Sequence, residues 1–574
     1  MLIKSSLCGI LNICKYKEIL EMYKILPIVF TVSIMCTGIF YEYLSCAFSM
    51  FLLALLFFKV KKRKQFIWRW NLTSVTLVFV LIMYTISSIW AVDSGMAFLG
   101  VFKYLPVLLF WANLMQEPEA AEEITGILPY VAGALTILSI IAMQIPALHS
   151  YFTVAGRLAG FFQYPNTYAL FILVAELLLI GQLKHKLWDY LTLVVLLLGL
   201  LMTGSRTVFV LAVLSNMVFF LFHKNKRIKI VGAVSIALVV VAVLVFVLAF
   251  DGVGVVERYL QMSVKESTFI GRILYFADAL PVILKNPFGL GYMGYYYIQQ
   301  TIQTGFYSVR YVHNDFLQIM LDIGWLPCIL LVVAIGKSVF HKRTTFHQKI
   351  ILSVIFLHSC FDFNLQFIAM FCLLLLFMDY KSGKEILVRK QLFPVKSSIV
   401  AAACMCFYIG ASLALFQMEQ YDYALKLYPW NTQAQVLILT EIEDLEQADK
   451  IADSILERNE YVTLAYSIKS RSAYAKGDFG NVITYKNTLL EKAPFQYDEY
   501  EEYCYMLVNG ISLYTKAGDM GSADLCKQEL LAIPKKLAQA EQRISTLGKM
   551  IKDQPTTELP EDITNYINRL EGAN

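Results

Sequence analysis

The chain has 574 residues, of which 58% are hydrophobic and 16% are charged. Soluble domains are roughly 45–50% apolar and about 25% charged, so this composition excludes an ordinary soluble protein and indicates an integral membrane protein. The net charge of +5 comes from short Lys/Arg clusters between apolar runs, where basic residues mark membrane topology rather than nucleic-acid binding.

Residues 1–416 are predicted to form a multi-pass helical membrane domain. The first apolar run starts near Leu26 and is not followed by a small-residue cleavage site, which indicates a retained helix rather than a signal peptide. We expect about 12–13 spans, several of which approach the roughly 20 residues that cross a bilayer. They lie near residues 26–43, 45–60, 72–92, 97–115, 126–145, 165–182, 187–203, 205–222, 229–250, 315–340, 348–361, 363–380 and 397–416.

The distribution of Lys and Arg predicts the orientation of these spans. The basic connections are residues 59–64, 184–186, 224–229, 341–343 and 381–396, and alternation of the spans places all of them on the cytoplasmic side. The connection 117–123 on that side is acidic, which is a weak objection because acidic residues contribute little to the rule.

The same alternation brings several polar groups to the outer face. They are Arg157, the turn Gly204-Ser205-Arg206, the large loop 251–312, and a turn with His358, Asp362 and Asn364. Because only the basic connections were used to derive the topology, this convergence is an independent result.

Each of the first two groups contains an arginine. Arg157 is followed by polar residues, among them Asn166, where an apolar helix should begin, and such residues at membrane depth usually line a cavity or pack on protein. Arg206 lies in a turn too short to be a mere linker, and its planar guanidinium suits phosphate oxygens. The alternatives are a snorkelling Arg157 and a helix-end salt bridge at Arg206.

The outer loop is predicted to contain an amphipathic helix that begins near Arg272 and ends at Pro287. Gly289 and Gly291 follow and would let the backbone approach a ligand closely. The tyrosines at 292, 295, 296 and 297 are expected to form an interfacial belt, with a sugar-stacking wall as the alternative.

His313 is the candidate catalytic residue. It stands where apolar sequence resumes, flanked by Asn314 and Asp315, and histidine titrates near pH 6.5, which suits a general base. The alternative is a structural histidine. His358 and Asp362, four residues apart on one predicted helix, would face the same way and either contact a ligand or satisfy each other.

Residues 417–574 are rich in Glu, Lys, Gln, Ala and Tyr at helical spacing, and thirteen spans would leave them outside. Segments 473–479 and 517–520 look like the helix–turn–helix junctions of tetratricopeptide repeats, so we expect a soluble α-helical solenoid, with an unrelated helical bundle as the alternative.

No nucleotide-binding signature and no metal-ligand cluster stands in the sequence, so we expect neither cofactor nor metal. A membrane-borne donor with its own phosphate leaving group would fit three outward arginines.

The segments GRLAGFFQYPNTYA, TGSRT, GRILYFADALPVILKNPFGLGY, VHNDFLQIMLDIGW and HSCFDFN, in this order, resemble the O-antigen ligase and O-antigen polymerase family over about residues 150–380. The resemblance implies a C-type glycosyltransferase architecture. It also implies metal-independent, inverting transfer of a glycan from undecaprenyl diphosphate to an acceptor hydroxyl outside the bacterial cytoplasmic membrane.

Carried over by position, the arginines at 157, 206 and 272 would hold the diphosphate and stabilise the leaving group. His313 would activate the acceptor hydroxyl, and Asn314 and Asp315 would orient that region. The full set of expected substrate-binding residues is Arg157, Asn166, Arg206, Arg272, Gly289, Gly291, Asn314, Asp315, His358 and Asp362.

The resemblance leaves several functions open, because one site serves a polymerase, a ligase with a lipid, glycan or wall acceptor, and a protein O-oligosaccharyltransferase. We favour polymerisation or ligation of a surface polysaccharide. A non-catalytic transporter or flippase would also need outward arginines, but it would be expected to show repeated spans. Membrane lipids are expected partners, and the tail could hold a protein or polysaccharide.

Overall fold

The computed structural model describes residues 25–572, except 185, 228, 236, 238–266, 390–391, 552–554 and 556. Most of the predicted span 229–250 and the first part of the outer loop, 251–266, therefore lie outside the described residues.

The membrane part is built almost entirely of helices. They are α1 (Ile25–Met35), α2 (Glu42–Arg63), α3 (Leu72–Ser87), α4 (Ser94–Gln116), α5 (Glu119–Ala142), α6 (Pro146–Phe152), α7 (Pro165–Gly181), α8 (Leu187–Met202), α9 (Arg206–Phe222), α10 (Ser267–Lys285), α11 (Gly294–Ile302), α12 (Asp315–Ile323), α13 (Trp325–Phe340), α14 (Phe346–Ser359), α15 (Ile368–Leu376) and α16 (Leu392–Gln417). Short 3-10 turns cover Thr37–Ile39, Gly160–Phe162 and Asn364–Gln366.

Strands are short and form two ribbons in the described chain. Strand β1 (Phe66–Trp70) pairs antiparallel with β4 (Lys384–Val388), and β2 (Thr153–Val154) pairs antiparallel with β3 (Arg157–Leu158). The predicted all-α membrane fold is confirmed.

Four helices among the described residues, α2, α4, α5 and α16, are long and apolar enough to cross a membrane. The helices α1, α3, α7, α8, α9 and α13 are apolar but shorter. The number of spans stays a prediction.

One predicted span is broken. Residues 315–340 form two helices, because Gly324 adopts φ +90° and lies directly against the backbone of Pro287 and Phe288 in the outer loop. Trp325 N donates to Pro287 O at 3.0 Å and holds the break in place. The short helix α12, which follows His313, is thereby separated from the longer α13.

The basic connections gather at one end of the bundle. In the ribbon, β1 follows the connection 59–64 and pairs with β4, which lies within the connection 381–396. The acidic connection belongs to the same end, because Glu122 accepts from Lys381 at 3.1 Å and Glu117 pairs with Lys59. His341 lies 3.7 Å from Asp379 and links a further basic connection to this end.

The tail begins where α16 ends, and most of its described residues form helices. They are α17 (Tyr421–Leu427), α18 (Thr432–Glu441), α19 (Leu445–Leu456), α20 (Thr463–Ala475), α21 (Phe479–Lys492), α22 (Tyr497–Ala517), α23 (Met520–Gln542) and α24 (Glu561–Gly572), with a 3-10 turn over Gly548–Met550. The junctions expected at 473–479 and 517–520 are both turns between helices. The repeat type and the domain division at 416 stay predictions.

The tail packs on the loops at the end opposite the basic connections. Asn459 Nδ2 donates to Asp93 Oδ2 at 3.1 Å, and Arg543 donates to the carbonyl of Thr301 at 2.7 Å. The first tail helices share one hydrophobic core with the membrane helices, while the later ones form a core of their own.

Candidate active site

Chain-distant side chains converge on the carboxylate of Asp362. Its Oδ1 accepts from Tyr164 Oη at 2.9 Å and lies 3.3 Å from His313 Nδ1. Its Oδ2 accepts from Asn166 Nδ2 at 2.8 Å and from Arg272 Nη2 at 3.1 Å. We call these residues, together with Arg157, the Asp362 cluster.

Arg157 extends the cluster towards the turn before α9. Its guanidinium donates to Asn166 Oδ1 at 2.6 Å and to the carbonyl of Thr203 at 2.7 Å. Arg206 follows that carbonyl by three residues and is the first residue of α9. Hydrogen bonds therefore run from the Thr203 carbonyl, in the turn before Arg206, through Arg157 and Asn166 to Asp362 and Arg272. They connect the elements that carry the three arginines expected to bind a diphosphate.

Local backbone conformations present these side chains. Gln163 adopts a left-handed φ of 55°, and Pro165 then begins α7 with Asn166 in its first turn. His313 also has φ 55°, and the side chain of Asn314 caps α12 by accepting from the backbone N–H of Phe316 and Leu317. A non-glycine residue in this region costs of order 1–3 kcal/mol and persists only where surrounding structure enforces it.

The buried carboxylate is held ionised. Burial alone would raise the pKa of Asp362, but the guanidinium of Arg272 and the hydrogen bond from His313 outweigh burial and lower the pKa below its ordinary range. Asp362 is fully buried, whereas the side chains of His313 and Arg272 remain 20% and 17% exposed. The charge is therefore sheltered, and two of its partners can still reach a ligand.

An aromatic ring supports the histidine. Phe363 lies 4.9 Å from the His313 ring, centre to centre and nearly perpendicular, and stacks on Tyr164 at 4.7 Å. The contacts with Asp362 and Phe363 restrict the imidazole on two sides. With Nδ1 directed at a carboxylate, Nε2 is the nitrogen that can accept a proton.

A second polar group lies beside the cluster and is closed to solvent. His358 Nδ1 lies 2.8 Å from Asn364 Nδ2, and Asn364 Oδ1 accepts from Thr167 Oγ1 at 3.1 Å. Both oxygens of Asp315 lie 3.0 Å from the backbone nitrogen of Leu365. We call Thr167, Asp315, His358 and Asn364 the closed network, since each is fully buried.

The expectation that His358 and Asp362 share a helix face is wrong. Helix α14 ends at Ser359 and Cys360 forms its C-cap, so Asp362 lies beyond the helix and turns towards His313. His358 instead contacts Asn364. The two residues therefore belong to different groups.

Gly289, Gly291 and Asn314, which were predicted to bind substrate, have local contacts that explain why a glycine or an asparagine stands at each position. A Cβ on Gly289 would lie 2.5 Å from the carbonyl oxygen of Asp322, and a Cβ on Gly291 would lie 2.4 Å from the Cβ of Ala91. Asn314, besides its capping role, donates to the carbonyl of Cys360 at 2.8 Å. The structure does not bring the two glycines to the carboxylate of Asp362, and their substrate binding stays a prediction.

Tyr164 is a member of the cluster that the sequence reasoning did not select. The only signal was its place beside Pro165 and Asn166, and a tyrosine at the start of an apolar helix suggests an interfacial anchor. Its contact with Asp362 joins residues almost two hundred positions apart, which no local pattern reveals.

Residues 191–332 match the family model described as O-antigen ligase. The match spans 142 of the 574 residues. The matched segment contains Arg206, Arg272 and His313, whereas Asp362 lies outside it. No match to this chain was found among curated proteins or among solved structures.

An O-antigen ligase domain supports a function in glycan ligation or polymerisation during polysaccharide assembly. The family is one of glycosyltransferase-like enzymes and implies lipid-linked glycan substrates in a lipid environment. The apolar helices agree with a membrane protein.

Proposed function

We propose that this protein transfers a glycan from an undecaprenyl-diphosphate donor to an acceptor hydroxyl at the outer face of the cytoplasmic membrane, as a polymerase or ligase of a surface polysaccharide. The observation that carries the proposal is the convergence of Arg272, His313 and Asn166 on the buried Asp362 carboxylate.

His313 acts as the general base. Asp362 accepts a hydrogen bond from Nδ1–H and fixes the tautomer, which leaves Nε2 to take the proton of the acceptor hydroxyl. The acceptor oxygen forms a bond to the anomeric carbon while the bond from that carbon to the diphosphate oxygen breaks. Direct displacement inverts the anomeric configuration, and the leaving group is undecaprenyl diphosphate.

The arginines at 157, 206 and 272 bind the diphosphate and stabilise the charge that develops on it. Helix termini support the same role, since α7 and α9 begin at Pro165 and Arg206, next to Asn166 and to the Thr203 carbonyl that Arg157 contacts. A helix N-terminus carries a partial positive charge that favours an anion.

The tail lies on the outer side, beside the proposed site, and would bind a polymer, a peptide or a protein partner. Its contacts with the loops carrying Asp93 and Thr301 support a role near the site rather than as a separate anchor.

The test is transfer by the purified full-length protein in liposomes with EDTA present, using a lipid-diphosphate glycan donor and following both product and released undecaprenyl diphosphate. We expect extended or transferred glycan with inverted linkage. Movement of intact donor across the bilayer without any transfer would contradict the proposal and favour the flippase alternative.

A further inference from the structure

A third polar group, the Arg310 cluster, reaches the Asp362 cluster through Phe363, whose ring contacts both Tyr311 and His313. It comprises Glu42, Tyr292, Tyr297, Arg310 and Tyr311. Arg310 Nη2 lies 2.9 Å from Glu42 Oε1, and the Tyr292 hydroxyl donates to the same carboxylate oxygen. These residues come from α2, α11 and the outer loop.

The cluster is open and only partly satisfied. The side chains of Arg310 and Glu42 are 33% and 15% exposed. Among the described residues, neither Arg310 Nε nor the buried hydroxyl of Tyr297 has a hydrogen-bond partner. Leaving a buried polar group unpaired costs about 1–3 kcal/mol, so these two atoms point to a ligand that supplies the missing partners.

Aromatic rings surround the ion pair. The Arg310 guanidinium lies 5.6 Å from the centre of the Tyr311 ring, and the half-buried rings of Tyr41 and Tyr43, on either side of Glu42, stack at 5.9 Å. Contrary to the expected interfacial belt, Tyr292 and Tyr297 are buried inside the protein.

This chemistry suits sugar hydroxyls better than a second phosphate. A hydroxyl both donates and accepts, so it can satisfy a guanidinium and a carboxylate at once, while apolar sugar faces pack on aromatic rings. Because Glu42 pairs with Arg310, a ligand bound there meets a carboxylate acceptor as well as a guanidinium donor. Tyr297 lies within electrostatic reach of Asp93, which contacts the tail, so the cluster borders the tail.

The Arg310 cluster also lies close to His313, the proposed general base. Arg310 precedes His313 by three residues, a backbone separation of at most about 10 Å. Tyr311 contacts Phe363 at 5.3 Å between ring centres, and Phe363 contacts His313. A glycan held at Arg310 could therefore direct a hydroxyl to His313 without displacing a donor from the Asp362 cluster.

We propose that the Arg310 cluster binds the acceptor glycan, with Glu42, Tyr297 and Arg310 contacting its hydroxyls. The assignment rests on the proposed transferase function and adds that the acceptor is itself a glycan. Glycan chains displayed on the tail side would enter through this cluster.

The test uses the full-length protein in nanodiscs and, as probe, the repeat-unit oligosaccharide released from the lipid donor by mild acid. The variants are Tyr297→Phe and Arg310→Lys, and the matched control is Tyr296→Phe, which alters the exposed neighbouring tyrosine. Tyr297→Phe removes an unpaired hydroxyl, so it should fold normally. Binding is measured by calorimetry, and kcat and KM by transfer.

We expect both variants to weaken oligosaccharide binding and raise the acceptor KM by about 10-fold, with kcat and the Tyr296→Phe control unchanged. A fall in kcat with unchanged oligosaccharide binding would overturn the assignment, because Arg310 would then only position His313. Unchanged kinetics, or no oligosaccharide binding by wild type, would also overturn it.

The two proposals fail separately. Oligosaccharide binding that depends on Tyr297 and Arg310, without any transfer by wild type, would keep the subsite and contradict the transferase. Transfer that both variants leave intact would keep the transferase and remove the subsite.

Discussion

The Asp362 cluster and the closed network lie side by side around the turn that follows α14, yet they differ in what their polar groups contact. In the closed network, Asp315 accepts from a backbone N–H and His358 contacts the Asn364 amide, all without exposure. In the Asp362 cluster, an equally buried carboxylate contacts long side chains that remain partly exposed.

The difference teaches that burial of a polar residue does not by itself indicate function. A buried carboxylate that accepts from a backbone N–H, as Asp315 does, stabilises a turn. Neither partner can move to contact a ligand. A carboxylate paired with Arg272 and His313 can hold those groups ready for chemistry and leave their other nitrogens available. The contrast predicts that substitutions in the Asp362 cluster lower catalysis and that those in the closed network lower stability.

The largest effect within the cluster, apart from the base itself, is expected at Arg272. Arg272→Ala should lower kcat by about 10²–10³-fold, because a donor that stabilises the leaving group is lost. Arg272→Lys should retain more activity but less than wild type, since lysine cannot reproduce a two-pronged contact. Transfer kinetics at saturating donor measure this. Equal activity of the alanine variant and wild type would place Arg272 outside catalysis.

Neighbouring residues at the start of α7 offer a matched pair. Asn166→Ala removes the link between Arg157 and Asp362 and should lower transfer by about 10-fold. Thr167→Val removes the hydrogen bond to Asn364 and should cost about 1 kcal/mol of stability with kcat unchanged. Transfer rates and thermal unfolding in detergent, measured on both variants, compare the two groups directly. Normal transfer by Asn166→Ala together with a lower kcat for Thr167→Val would contradict the distinction between the Asp362 cluster and the closed network.

Gly291 should behave as a packing residue. Its φ of +82° and the close Ala91 side chain predict that Gly291→Ala lowers stability by about 1–3 kcal/mol. Binding of the lipid diphosphate per folded molecule should be unchanged. A loss of binding at unchanged unfolding temperature would instead support the ligand contact expected from the sequence.

The smallest effect concerns pH. Since the pKa of Asp362 is lowered in the folded protein, its ionisation contributes stability above the unfolded pKa of about 3.9, and this contribution is lost only as pH falls through the folded value. In a His313→Ala background, which removes the neighbouring imidazole, the unfolding temperatures with Asp362 and with Asp362→Asn should differ by a constant amount between about pH 5 and pH 8. A difference that shrinks across this range would contradict an ionised Asp362.

Much of the site could be predicted from the sequence because the distribution of Lys and Arg indicates the membrane topology. The Lys/Arg bias assigns each connection to one end of the bundle, and the loops carrying Arg157, Arg272, His313 and Asp362 all fall at the other end. This reasoning identifies which residues can meet, without any knowledge of their contacts.

Two sequence-based predictions were wrong because they placed the ends of helices incorrectly. The pairing of His358 with Asp362 assumed a continuous helix, but α14 ends at Ser359. The span 315–340 was expected to be unbroken, but Gly324 packs against the Pro287 carbonyl from a distant loop. Both features are decided by tertiary contacts, which local periodicity does not contain.

The most direct test of the central claim is single-turnover transfer by His313→Ala and wild type, with undecaprenyl-diphosphate binding measured on the same samples. We predict that transfer falls by about 10²–10⁴-fold while donor binding stays within about threefold, because the base is lost and the arginines remain. Transfer by His313→Ala at the wild-type rate would contradict the account.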